Sequence, residues 1–168
     1  MLFRSVSTEE EGFAALLHEF KRGVQETLGE GDVECRYDLG IAYREMGLFE
    51  DAYDEFRAAL RSPVRRYDAA HMLAQSALDL GRAAEVLPQL RAAIDEGAPE
   101  QHQPALRFDL GCLHRALGQT AEALESFRFV AAIAPGFCEV EQQIEQLTGS
   151  PSRAPGASEA EQIGRAHV

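Results

Sequence analysis

The chain has 168 residues, a length that fits one domain or a small domain with tails. Apolar residues make up 45% of it, enough for a globular core, and the formal net charge of -12 excludes the basic face that a nucleic-acid footprint needs. No apolar run approaches the ~18 residues of a membrane span, and "MLFRSVSTEEEGF" lacks the apolar centre of a signal peptide, so the cytoplasm is the default location.

Residues 1–8 read as a disordered N-terminus. A helix is predicted over 9–28, with Phe13, Leu16, Leu17, Phe20, Val24 and Leu28 as its apolar stripe and Glu9, Glu10 and Glu11 as a charged first turn. From residue 33 the chain falls into three units, about 33–66, 67–103 and 104–135, of about 34 residues each. In the first, Leu39, Ala42, Tyr43 and Met46 form one helical face. "GLFED" makes a turn, and Ala52, Phe56, Ala59 and Leu60 form a second face that ends before Pro63. The second unit repeats the spacing through Leu73, Gly81, Leu90 and Ala93. Ala74, Ala77 and Val86 replace a Gly, a Tyr and an Ala, changes that offset one another in volume. Pro88 falls inside the second helix of that unit, so a helix over 82–96 is expected to bend or to begin late. The third unit follows a longer loop, "DEGAPEQHQP", and carries Leu110, Ala123 and Phe127. Pro104 suits a first helical position, Thr120 an N-cap and Pro135 a stop. Residues 136–147 read as a capping helix with Phe137, Val140, Ile144 and Leu147 inward and Glu and Gln outward. Residues 149–161 are Ser/Pro/Gly/Ala-rich and read as disordered. Residues 162–168 read as the in-frame translation of a DNA-sequencing adapter, which leaves the natural C-terminus open, as Met1 leaves the natural start.

The repeated unit resembles the tetratricopeptide repeat. Unit one supplies Leu39, Gly40, Tyr43, Gly47, Ala52, Phe56, Ala59 and Pro63 in the family's positions. Unit three supplies Leu110, Gly111, His114, Gly118, Ala123, Phe127, Val130 and Pro135. The resemblance implies an all-α, right-handed helical-hairpin solenoid: three repeats with a flanking helix at each end. Leu16, Phe20 and Gly23 stand 36 residues before Ala52, Phe56 and Ala59, so the first helix can stand in for a preceding second helix. The stretch from Glu19 to Gly47 is similar to a module of larger bacterial repeat proteins. The single lysine, Lys21, among arginines, with abundant Ala, also points to GC-rich bacterial coding.

Catalytic chemistry finds little support. Cys35, Cys112 and Cys138 show no metal spacing and suit a reducing compartment. The histidines do not pair at metal spacing on one helix face, and isolated turn glycines make no phosphate loop. No cofactor is implied, and neither a nucleic acid nor a membrane is expected as partner. The resemblance instead directs attention to the groove lined by the first helices, where it places Tyr37, Ile41 and Arg44, then His71, Gln75 and Leu78, then Phe108, Cys112 and Arg115. Tyr37, His71 and Phe108 would form a ladder, flanked by Arg44 and Arg115. The Lys/Asn set with which some family members clamp a peptide carboxylate is absent. Two readings stay open for the ladder: it binds a protein or peptide segment with apolar and acidic side chains, or it packs between neighbouring first helices. The expected function is a non-catalytic interaction scaffold; the alternative is a regulatory or recruiting domain of a larger enzyme. The partner and the oligomeric state are not legible.

Overall fold

A computed structural model describes residues 4–29 and 32–149. The expectations for residues 1–3 and for the tail from residue 150 onward, the adapter-like end included, lie outside the described residues. The described residues form eight α-helices and two short 3-10 turns, with no strand among them. They are α1 (Arg4–Thr27), α2 (Val33–Glu45), α3 (Phe49–Ala59), α4 (Arg66–Leu80), α5 (Ala83–Asp95), α6 (Gln103–Ala116), α7 (Thr120–Ile133) and α8 (Val140–Thr148). The pairs α2/α3, α4/α5 and α6/α7 are hairpins stacked in chain order, so the fold is an all-α helical-hairpin solenoid.

The hairpins close on a steric lock written twice in the sequence. A Cβ added to Gly40 would lie 2.6 Å from the Phe56 ring, and one added to Gly111 would lie 2.5 Å from the Phe127 ring. Only glycine lets the first helix come this close, so the aromatic ring of the second helix fills the space beside it. Unit two keeps the helices together with other volumes: Ala74, Ala77, Val86 and Leu90 are all buried there. The main core runs from Tyr43 through Leu73 and Leu90 to Leu113; Phe127, Val130 and Val140 form a second cluster at the C-terminal end.

Four local expectations are corrected. Helix α1 begins at Arg4, so it takes in residues 4–8, where the sequence predicts disorder; no Pro or Gly interrupts the helix there. Helix α5 begins at Ala83 and runs through Pro88, so it does not start late. Pro88 and Ala84 are both exposed, so the carbonyl that the missing N–H frees is open to solvent rather than buried. Thr120 is the first residue of α7 rather than its cap; Gln119 takes the cap position without a side-chain hydrogen bond. The expected helix over 136–147 is divided. Phe137–Glu139 form a 3-10 turn in which Cys138 and Glu139 hold positive φ values of 46° and 54°, and α8 starts only at Val140. The division turns the chain so that Val140, Ile144 and Leu147 meet Phe127 and Val130.

Candidate functional site in the row of first helices

The first helices α2, α4 and α6, with α8 after them, are joined side to side by polar bridges. In each bridge one partner is a residue the sequence placed in the groove: Arg44, His71 or Arg115. Arg44 of α2 donates to Ser76 Oγ at 3.1 Å and pairs with Asp79 of α4 at 2.9 Å. His71 of α4 donates from Nδ1 to Asp109 Oδ2 of α6 at 2.5 Å, and its Nε2 lies 3.2 Å from the side-chain amide of Gln75. Arg115 of α6 donates to Gln143 Oε1 of α8.

The apolar members of the row sit half-buried over the two cores. The Tyr37 ring lies 5.8 Å from Phe56, and the Arg65 guanidinium lies 5.1 Å from its centroid. Ile41 and Leu78 pack on the main core. Phe108 lies 5.4 Å from Phe127 and 5.9 Å from Phe137, and Cys112 packs on the same C-terminal cluster. Eight of the nine groove residues are thus neither fully buried nor fully exposed, while Arg115 is exposed. The structure shows no direct ring contact among Tyr37, His71 and Phe108; each leans on its own surroundings.

The electrostatics centre on the His71–Asp109 pair. Asp109 is only 3% exposed. Burial pushes its carboxyl above the usual range, and the bond to His71 works against that shift. The bond to Asp109 holds the His71 imidazole above its usual value, in spite of the burial that opposes it. Burial pushes the Cys112 thiol up to about 11, which leaves it protonated and unreactive near neutral pH. Sequence reasoning missed the partners Ser76, Asp79, Asp109 and Gln143, and Asp109 is the most telling of them. It belongs to a "DLG" triplet that recurs at Asp38, and Asp38 is exposed.

Other features lie away from the row. His114, in the position the family gives to Tyr, is buried; it accepts from Arg91 at Nε2 and donates from Nδ1 to Gln119. It borders a cleft of about 550 Å³ between α5, α6 and α7, where Arg91, Arg107 and Arg128 alternate with Asp95, Glu122 and Glu125. Arg57 pairs with Asp54, Arg65 with Asp68 and Arg66 with Glu96. Among the described residues no group of His, Cys, Asp and Glu is placed to hold a metal ion, and no helix is long and apolar enough to cross a membrane.

Stacked helical hairpins of this kind define a class of helical repeat proteins. No family model and no curated sequence matches the chain. Solved structures do. The first tetratricopeptide-repeat domain of Spaghetti (RPAP3), bound to the HSP90 peptide SRMEEVD, superposes with a TM-score of 0.62 at 14% identity, over 73% of this chain and 94% of that one. MamA superposes with a TM-score of 0.64 at 19% identity, over 89% and 84% of the two chains. A point mutant of MamA gives 0.60 at 20% identity, over 95% and 83%. The fold is therefore that of the tetratricopeptide repeats, as the resemblance of the sequence implied.

Proposed function

We propose that the chain is a non-catalytic protein-interaction scaffold that receives a partner segment along the row of first helices. The observation that carries this reading is the half-exposure of Tyr37, Ile41, His71, Gln75, Leu78, Phe108 and Cys112 on three adjacent helices. Together they offer apolar area with polar edges on a rigid support, the combination that peptide grooves use. Arg115 bonds an amide rather than a carboxylate, which keeps its charge for an acidic side chain of the ligand. Arg44 is engaged by Asp79, so it contributes position more than charge. A neighbour of the same fold was solved with the acidic-ended peptide SRMEEVD. This chain lacks the Lys/Asn clamp for a terminal carboxylate, so its ligand is an internal segment carrying apolar and acidic residues. His71 Nε2 faces Gln75 rather than a hydroxyl or thiol, so the pair is a structural bridge and not a general base for a nucleophile.

The test uses a displayed peptide library to select ligands, followed by titration of a selected peptide. Gln75→Glu with Arg115→Glu is expected to weaken binding at least about tenfold, the loss of roughly 1.4 kcal/mol, while helicity and Tm hold. An unchanged affinity in a folded double variant removes the groove from the binding site. Phe108→Ala is the wrong probe, because Phe108 supports Phe127 and Phe137.

A further inference from the structure

Helix α1 carries the same row of residues as α3, one repeat earlier. Phe13, Leu16, Phe20 and Gly23 stand 36 residues before Phe49, Ala52, Phe56 and Ala59. In α3 the row is closed by α2 at three of its four positions: Ala52, Phe56 and Ala59 are 0% exposed and Phe56 fills the space beside Gly40, while Phe49 stays exposed. In α7 the equivalent Phe127 is closed on Gly111. In α1 the row stands open, with Phe13 62%, Leu16 67% and Phe20 50% exposed. Met46 at the end of α2 continues it, and Phe13, Leu16, Leu17, Phe20 and Met46 line an apolar groove of about 340 Å³. The other side of α1 meets the stack at a few points. Lys21 pairs with Asp51 at 2.6 Å and lies over the Tyr43 ring, while Val24 and Leu28 border Leu39. Among the described residues, no helix closes this face of α1 as α2 closes α3.

We propose that this open face is a docking site for a helix of another protein, of the same kind as α2 and α6. The two closed hairpins state its chemistry. Each first helix sets a glycine against the ring, with Leu just before it and an aromatic or His three residues on: Leu39, Gly40 and Tyr43, then Leu110, Gly111 and His114. The docking face is thus continuous in register with an interface the chain already builds twice. Its rim is acidic, with Glu9, Glu10 and Glu19 exposed on α1 and Glu45 exposed beside Met46, so the incoming helix carries Lys or Arg along its flanks. A second folded copy does not supply such a helix, because Gly40 and Gly111 are already covered and unit two has Ala74 in that place. The proposal does not rest on the groove of first helices, which lies along other residues.

The test takes a synthetic peptide with the sequence of residues 103–118, QPALRFDLGCLHRALG, and titrates it into the isotope-labelled full chain. Saturable NMR shifts are expected at Gly12, Phe20 and Met46, weakened at least about tenfold by Phe20→Ala and at least about tenfold by Gly111→Leu in the peptide. Added salt should weaken binding as the acidic rim is screened. Should Phe20→Ala lose helicity, Leu16→Glu replaces it, since Leu16 is the most exposed side chain of the row. No saturable shift up to about 1 mM peptide overturns the proposal. So do shifts confined to Tyr37, His71 and Phe108, or equal binding of the Gly111→Leu peptide. A concentration-dependent dimer of the chain that Phe20→Ala abolishes overturns it too, and assigns the face to a second copy.

Discussion

Gly40 and Phe56 meet where a side chain on the glycine would collide with the ring, and they show why some residues could be read in advance. The same geometric demand arises in the third hairpin, so Gly111 and Phe127 recur there. Gly40→Ala is expected to cost about 1–3 kcal/mol in urea denaturation, because the added Cβ would lie 2.6 Å from the ring. Adding Phe56→Leu should restore part of that loss, which separates a clash from a change in helix propensity; Ala favours helix over Gly and pulls the other way. Asp109 shows the opposite limit. The "DLG" triplets look identical, yet Asp38 is exposed and Asp109 buried, because only Asp109 has a histidine of the preceding unit beside it. Such pairing depends on how one hairpin rests on the next, which a repeat pattern does not encode. The sign of its pH dependence follows from the raised value of His71. The stabilisation is fully present below the unfolded imidazole value of about 6.5 and is lost as pH rises through the folded value. The upward shift of Asp109 has the same sign, in a lower window that opens above the unfolded carboxylate value of about 3.9. The denaturation midpoints of the wild type and His71→Gln should therefore lie further apart at pH 6 than at pH 8.5. A gap that widens with pH would mean that the His71–Asp109 bond does not stabilise the charged imidazole.

At the scale of the element, apolar periodicity located every helix of the three hairpins, because each buries one face in the stack. Their ends were less legible. Described helices α2 to α8 start without a side-chain cap, so residues such as Thr120 carry no signal that the structure uses. The turn at Phe137–Glu139 was invisible because Cys138 and Glu139, both non-glycine, adopt positive φ there; docking of Val140 holds them in place. Pro88 is the sharpest case of local preference yielding to packing. It stays inside α5 because Val86 and Leu90, two residues to either side, are buried in the core and hold the helix. Since Pro88 itself is exposed, Pro88→Ala creates no clash and restores one backbone bond. It is expected to stabilise the chain by about 1–3 kcal/mol, read as a raised urea midpoint with unchanged slope. No gain would show that the carbonyl of Ala84 is already fully satisfied by solvent and that the helix is bent to suit.

Across the whole molecule, stability is a sum over hairpins and the seams between them, as in other repeat arrays. The seams are unequal. The second hairpin is covered on both sides, by α3 before it and α6 after it, and contains the most continuous stretch of buried residues. At the C-terminal end, Val140 closes on Phe127 and Val130. At the N-terminal end α1 is held by the Lys21–Asp51 pair and the edge beside Leu39, with its largest apolar side chains in water. A part-exposed ion pair contributes at most about 1 kcal/mol, so α1 is the element with least to lose by opening. Hydrogen exchange should show this as a gradient: amides of α1 exchanging at least about tenfold faster than those of α4 and α6, under conditions where all are native. The order follows from burial rather than from helix length, since α1 is the longest helix at 24 residues. If length governed, α1 would be the slowest. Equal protection across α1, α4 and α6 would mean that the array opens only as a whole, and that the first helix is bound far more tightly than its exposed face allows.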